Sequence, residues 1–360
     1  MKIKSAKLFN YRNYEFANID FDGGLNTIIG LNAQGKTNLL EAIYFCSIGK
    51  SLRTNKEKEV IKWDCEIARI EVIVEKKFSK SKIEIIFSKK NKKTIKINDI
   101  PIKKIGELLG ELNCVFFSPD ELKLIKDSPN DRRRFMDISI SQTSKNYFYL
   151  LNRYDKVLAN RNRLLKVVTD LAVLKDTISI WNEQLSDLGS KIIKYRCDFL
   201  KELSPFTSLA HSYLTSFNET IALEYSSNIN LNGDNLKNDL FCSLEKSVDK
   251  DFKLGFTSVG PHRDDIKVLV NNVDIKTFGS QGQQRTCALS MKLAEVEIIK
   301  NKTGESPVLL LDDVFSELDE KRRKKLINFC EKTQTLITCT EFEFSNILHK
   351  KIVIKNGKNL

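Results

Sequence analysis

Between Leu25 and Tyr44 the chain passes from a short apolar run, Leu25-Asn26-Thr27-Ile28-Ile29, through Gly30-Leu31-Asn32-Ala33-Gln34-Gly35-Lys36-Thr37, into a segment whose Leu39, Leu40, Ile43 and Tyr44 recur at helical spacing. An apolar run bounded by glycines suits a buried strand. The eight residues Gly30–Thr37 satisfy GxxxxGK[ST]. Glycines in such a loop admit φ > 0 and let backbone N–H groups close around phosphate oxygens. A helix beginning there adds its dipole and its free N–H groups. Strand, loop and helix together are the context the motif requires, and a chance match would lack it. Lys36 is expected to reach the β- and γ-phosphates of a nucleotide, and the Thr37 hydroxyl to ligate Mg²⁺. An α/β fold follows.

A second apolar run, Val308-Leu309-Leu310-Leu311, delivers Asp312 and Asp313 at its C-terminal end. Ligands of parallel α/β sheets bind at that edge. Neighbouring residues on a strand face opposite ways, so the two carboxylates should do different work. Asp312 is expected in the Mg²⁺ shell, and Asp313 is expected to orient or deprotonate the attacking water. Some 25 residues upstream, Ser280-Gln281-Gly282-Gln283-Gln284-Arg285 precedes a helix. A small polar N-cap followed by glycine leaves that helix N-terminus free to face an anion.

The rest of the chain reads as β, then helix, then β. Residues 67–100 alternate with period two and read as an antiparallel meander, with turns near Phe78–Ser81 and Lys90–Lys92. Asn130–Lys166 and Asp176–Phe217 read as two long helices joined as an antiparallel hairpin, Asp176 as an N-cap and Pro205 as a kink or break. Unbroken, each would reach roughly 50–60 Å. Strand character returns at Ile221–Tyr225 and Ile266–Val270. The 360 residues carry Lys+Arg 59 against Asp+Glu 47, a net +12, which favours a polyanionic partner without choosing one. Eleven lysines lie between Lys76 and Lys104 against Glu84 and Asp99. Lys89, Lys90, Lys92 and Lys93 are the candidate contacts to the phosphates of such a partner, with a plain solvated sheet as the alternative. Positive charge at a helix start opposes the dipole, so Arg132-Arg133-Arg134 points to a specific anionic or carboxylate partner or to a plain exposed face. His262 is expected to be structural, paired with Arg263-Asp264-Asp265. No run reaches the ~18 apolar residues of a membrane span. The N-terminus has no apolar leader, and the eight cysteines show no metal or disulfide spacing. A cytoplasmic protein with reduced thiols is expected.

GLNAQGKTN, SQGQQRT and LLLDDVFSELD, in this order, resemble the ABC-type ATPase heads of the SMC kind and, more narrowly, the RecF family of bacterial recombination mediators. Tyr11-Arg12-Asn13-Tyr14, Phe117-Ser118-Pro119-Asp120, Arg132–Phe135 and Gly260-Pro261-His262-Arg263-Asp264-Asp265 extend the resemblance over almost the whole chain. It implies an ABC-type head with a side β-meander and an inserted helical lobe, a short hairpin without a long coiled coil. The boundaries would be residues 1–118 for lobe I, 119–291 for the helical lobe with the signature, and 292–360 for the return to lobe I. ATP would lie on Gly30–Thr37 of one subunit, capped in trans by Ser280, Gly282 and Gln283 of a second copy, with Ser316 and Asp319 of the D-loop across the same seam. Arg53 resembles a position that couples DNA to hydrolysis in such heads. The resemblance implies an ATP-dependent homodimer on double-stranded or gapped DNA, without sequence specificity, with RecR and RecO as partners and recombinase loading as the outcome. Two features usual in ABC ATPases are missing: a glutamine at the lobe crossing near Ser118–Glu121, and a switch histidine after the strand at Leu336–Thr340. With Asp313 in place of the more usual glutamate, slow hydrolysis is expected. The alternative, a transporter's nucleotide-binding subunit, calls for both missing features and an LSGGQ-type signature.

Overall fold

Apolar runs without alternation form a parallel sheet, and alternating ones form an antiparallel sheet. The computed structural model describes every residue except 55, 232–234, 341–347 and 360. By contact density it divides into two units, Met1–Leu122 with Phe206–Thr220 and Ser280–Leu360, and Lys123–Pro205 with Ile221–Gly279. This division differs from boundaries at 118 and 291, because residues 206–220 and the helix Gln281–Thr303 fall in the first unit.

In the first unit one sheet runs Lys358–Asn359, Lys350–Lys355, Leu25–Ile29, Thr335–Cys339, Val308–Asp312, Cys114–Phe117, parallel except for the first pair. Thr335–Cys339, Val308–Asp312 and Cys114–Phe117 are buried at every position, as parallel strands covered on both faces are. The second sheet runs Tyr14–Asp20, Lys2–Tyr11, Ile67–Glu75, Lys80–Ser88, Thr94–Ile97, Ile100–Pro101, all antiparallel. The expected meander therefore joins the N-terminal hairpin. The helix Lys36–Ile48 packs between the sheets and is buried nearly all round. Its Phe45 meets Phe87 of the antiparallel sheet edge-on at 4.9 Å, and its Tyr44 meets Phe116 of the parallel sheet at 5.5 Å. Each such aromatic contributes about 1.5–3 kcal/mol by burial, so the phosphate loop is anchored at its helical end.

The second unit corrects the helix boundaries. Residues 130–166 form two helices, Pro129–Thr143 and Lys145–Val167, because the Ser144 hydroxyl caps the second by accepting from Tyr147 N. The long helix spans Leu171–Thr215. Its start is held by the Asp170 carboxylate, which accepts from Ala172 N at 2.7 Å, so Asp176 lies inside the helix rather than at its cap. Pro205 also lies inside it and does not end it. The hairpin is antiparallel: Arg161 bonds Asn182 at 2.7 Å near the tip, and Arg196 bonds Tyr147 at 3.1 Å further down.

Arg132 does find a carboxylate, within its own unit. It is buried and grips Asp265 with two bonds of 2.6 and 2.9 Å, while Arg133 donates to the Asp264 carbonyl at 2.7 Å. Buried Arg196 likewise holds Asp137 and the Pro261 carbonyl. The segment 260–265 is thus a hub of internal bonds. His262 belongs to it through Tyr154 and Thr257 rather than through Arg263–Asp265. Because the Thr257 carbonyl can only accept, Nε2 donates to it at 3.0 Å, and Nδ1 accepts from the Tyr154 hydroxyl at 2.7 Å. Burial pushes the His262 pKa down to about 4. A depressed histidine contributes stability above its unfolded pKa, near 6.5, and that contribution is lost as pH falls through about 4. The loss should approach roughly 3 kcal/mol. His262→Gln keeps a donor and an acceptor without titrating. Denaturation of both proteins between pH 6.5 and 4 should show a shallower acid loss for the variant. Parallel curves would remove His262 from this role.

Candidate nucleotide site

The phosphate loop leaves the C-terminal end of Leu25–Ile29 and enters the helix Lys36–Ile48 through Gly35, whose φ is 114°. Ala33 is also left-handed at 64°, whereas Gly30 answers a different constraint: a Cβ there would lie 2.3 Å from the Ile354 carbonyl oxygen. No side chain caps the first turn of the helix, which leaves its N–H groups for a ligand. Leu31, Asn32 and Ala33 are exposed; Lys36 is buried, its ammonium on the Gly30 and Leu31 carbonyls at 2.5 and 3.0 Å. Tyr11–Tyr14 supports the loop from below. The Tyr14 hydroxyl donates to the Gly35 carbonyl and the Asn13 amide to the Gln34 carbonyl, both at 2.9 Å. Arg12 forks onto Glu41 of the helix at 3.1 and 2.8 Å.

The acidic strand lies one strand away, across Thr335–Cys339. Asp312 is buried and Asp313 exposed. Asp312 Oδ1 accepts from the Thr37 hydroxyl at 2.9 Å and from the Thr338 hydroxyl at 2.7 Å. Burial raises the Asp312 pKa, the two hydroxyls hold it down, and neighbouring Asp313 raises it further. Asp313 sits at the left-handed φ of 50°, its N–H donating to Thr338 Oγ1 at 2.9 Å. Thr338 thus ties both carboxylate residues together on the strand where a switch histidine was missing. At the lobe crossing, Glu121 reaches buried Lys292 of the helix Gln281–Thr303 at 3.5 Å, and Lys292 also pairs with Glu295 at 3.3 Å. The Ser118–Glu121 segment, which lacks a glutamine, thus supplies Glu121 to an ion triad.

The adjacency of the Thr37 hydroxyl and the Asp312 carboxylate fits Mg²⁺, which takes few protein oxygens and completes its shell with phosphate and water. Among the described residues no group of three or more acidic, histidine or cysteine side chains could hold a metal unaided.

Ser280 caps Gln281–Thr303 in a capping box, accepting from Gln283 N at 3.3 Å while its own N–H donates to Gln283 Oε1 at 3.1 Å. The Gln283 amide also donates to Glu219 at 2.8 Å. A Cβ on Gly282 would meet nothing within 4 Å. Ser316 donates to the Asp313 carbonyl at 2.7 Å, and Asp319 caps the helix Glu320–Cys330 by accepting from Arg322 N at 2.9 Å.

Counting lysines overstated the free positive charge of the meander. Lys76, Lys82 and Lys96 pair with Glu111, Asp99 and Glu84, and Glu111 lies outside the counted stretch. Lys93 bonds the Gly49 carbonyl at 2.7 Å and pairs with Glu57. Lys89, Lys90 and Lys92 are exposed, Lys90 with the Glu66 carboxylate 3.8 Å away. With Lys93, Lys90 and Lys92 line a cleft of about 590 Å³ that also includes Lys56, Glu57, Lys58 and Glu59, which lie some thirty positions away in the sequence. Arg53 is exposed and donates to the Asn38 side chain at 3.0 Å.

Residues 2–359 match the RecF/RecN/SMC N terminal domain family. The chain is 48% identical over 341 residues to the DNA replication and repair protein RecF of Clostridium novyi, covering 94% of this chain and 93% of the relative. A solved structure of the recombination mediator protein RecF with ATP, in the RecFOR pathway, superposes with a TM-score of 0.91 at 38% identity, covering 99% of this chain and 97% of that one. An SMC head bound to the C-terminal winged-helix domain of ScpA shares the fold at TM-score 0.60 and 16% identity, covering 100% and 96%. The chain has the ABC-type ATPase head fold and belongs to the RecF family.

Proposed function

We propose that this protein is an ATP-gated, DNA-binding clamp of recombinational repair. The observation that carries the ATP part is the meeting of Thr37 with Asp312 beside an uncapped helix N-terminus. ATP lies with its phosphates on Gly30–Thr37, and Lys36 exchanges its two carbonyl partners for phosphate oxygens. Thr37 and Asp312 hold Mg²⁺, which when bound offsets charge on the β- and γ-phosphates. Exposed Asp313 orients the attacking water and accepts its proton. Its backbone is left-handed and its side chain is exposed, whereas Asp312 is buried.

Closure uses a second copy. Ser280, Gln281 and Gly282 at the start of Gln281–Thr303 are exposed, and Gly282 has open space around it, as a backbone that must approach a partner's γ-phosphate requires. Ser280, Gly282 and Gln283 cap that phosphate in trans, and Ser316 and Asp319 line the same seam. The γ-phosphate is the differential contact that favours the closed state, and hydrolysis removes it. DNA is held through its phosphates by Lys89, Lys90 and Lys92, joined by Lys56 and Lys58 of the same cleft, with Lys93 on its lining, and by Arg53, whose side chain bonds Asn38 of the phosphate-loop helix. Slow, DNA-stimulated turnover times release at gaps, where RecR and RecO act.

Light-scattering mass in ATP and in ADP, with turnover measured with and without double-stranded DNA, tests this reading. A dimer in ATP alone and turnover raised by DNA are expected. Ser280→Arg should bind ATP as the unaltered chain does yet stay monomeric, because the long cation occupies the space the partner's phosphate needs. A normal ATP dimer of that variant would remove Ser280 from the seam, and DNA-indifferent turnover by a permanent monomer would overturn the clamp.

A further inference from the structure

Gln34, an unspecified position of the phosphate-loop motif, is held from outside by two elements more than three hundred residues apart. Its carbonyl accepts from the Asn13 amide at 2.9 Å and from Gly357 N at 3.0 Å, and its Oε1 accepts from Asn356 N at 2.5 Å. Asn356 and Gly357 form the turn between Lys350–Lys355 and Lys358–Asn359, both left-handed at φ 52° and 68°, as a two-residue hairpin turn of the I′ type demands. A Cβ on Gly357 would lie 2.4 Å from the Asn13 carbonyl oxygen, so the turn is wedged against the 11–14 hairpin. The same C-terminal hairpin reaches the other end of the loop, where the Ile354 carbonyl leaves no room for a Cβ on Gly30.

A trans peptide points its C=O and its N–H to opposite sides. Pinning the Gln34 carbonyl on Asn13 and Gly357 therefore aims the Gly35 N–H the other way. The Tyr14 hydroxyl on the Gly35 carbonyl does the same for the Lys36 N–H. Two consecutive N–H donors are thus oriented before any phosphate arrives, and donors fixed in advance lose little freedom on binding. We infer that Asn13 and the Asn356–Gly357 turn are positioning residues of the nucleotide site, presetting the phosphate loop through Gln34. The inference rests on the reading that Gly30–Thr37 holds the phosphates. It makes the C-terminal hairpin part of ATP recognition without touching ATP.

The test is ATP affinity by calorimetry with Mg²⁺ and turnover at saturating ATP, on folded full-length variants. Gly357→Ala displaces the turn and removes two bonds to Gln34. It should raise the ATP Kd about thirtyfold, as two neutral hydrogen bonds of about 1 kcal/mol would give, with turnover at saturation within about twofold. Gln34→Leu should raise Kd about fivefold by losing the Asn356 bond alone. The double variant should be no weaker than Gly357→Ala, because both remove one shared contact. A merely structural role would lower the melting temperature and leave this split of affinity from turnover unseen. Should Gly357→Ala not fold, Gln34→Leu decides alone. Unchanged Kd in Gln34→Leu, or in a folded Gly357→Ala, overturns the inference. Lys36→Ala separates the two levels: if it too binds ATP normally, the placement of ATP on this loop has failed instead.

Discussion

Lys36→Ala should fold normally and bind ATP on the order of a hundredfold more weakly or worse. The Lys36 ammonium now rests on the Gly30 and Leu31 carbonyls, at the mouth of a loop whose neighbours Leu31–Ala33 are exposed. Truncation leaves those two carbonyls to water, so little stability is lost. With ATP the same ammonium faces β- and γ-phosphate oxygens. Each charge-assisted bond is worth about 1.5–3 kcal/mol, and two of them give the expected factor. The melting temperature and calorimetry on one preparation check it. A variant with unaltered melting and unaltered ATP affinity would move the nucleotide off this loop.

Asp313→Asn should bind ATP as the unaltered chain does, hydrolyse it on the order of a hundred- to ten-thousandfold more slowly, as loss of a general base gives, and accumulate as the ATP dimer. The substitution is clean for a backbone reason. Residue 313 sits at φ 50°, where asparagine is among the few side chains tolerated, so neither the strand end nor the bond from its N–H to Thr338 need shift. Alanine there would add strain and blur the result. Asp312, by contrast, is buried on Thr37 and Thr338, so replacing it should disturb nucleotide and Mg²⁺ binding as well. Single-turnover hydrolysis and light scattering separate the two carboxylates. A monomer of Asp313→Asn in saturating ATP would count against a trans site, and near-normal hydrolysis would take the base role from Asp313.

The parts of the site legible in the sequence are those built from short-range rules. Gly30–Thr37 and Val308–Asp313 carry their strand, loop and helix signals within twenty residues. The parts that were not legible depend on partners far along the chain. Nothing local shows that Gln34 meets Asn356 and Gly357, or that Glu121 pairs with Lys292. The helix boundaries erred for a smaller reason: Ser144 and Asp170 act as caps through side-chain bonds that compete with continuing or delaying the helix, and periodicity does not register such bonds. The lysine count erred because a carboxylate from elsewhere, Glu57 or Glu111, neutralises a cation that looks free in its own segment.

From sequence alone came the α/β class, the phosphate loop, the acidic strand end, the capped helix at Ser280 and the helical insertion. Each follows from residue spacing against a backbone period of 2 or 3.6, or from the few residues able to take a given φ. Tertiary structure alone decided that Asp312 is buried on Thr37 while Asp313 is exposed, that Arg132 spends its charge on Asp265, which lysines of the meander are paired with carboxylates, and that a turn at residues 356–357 braces a loop at residue 34. Those outcomes are set by burial and by pairing across the folded chain, where a distant group changes the free energy of a charge or a hydrogen bond more than any sequence neighbour does.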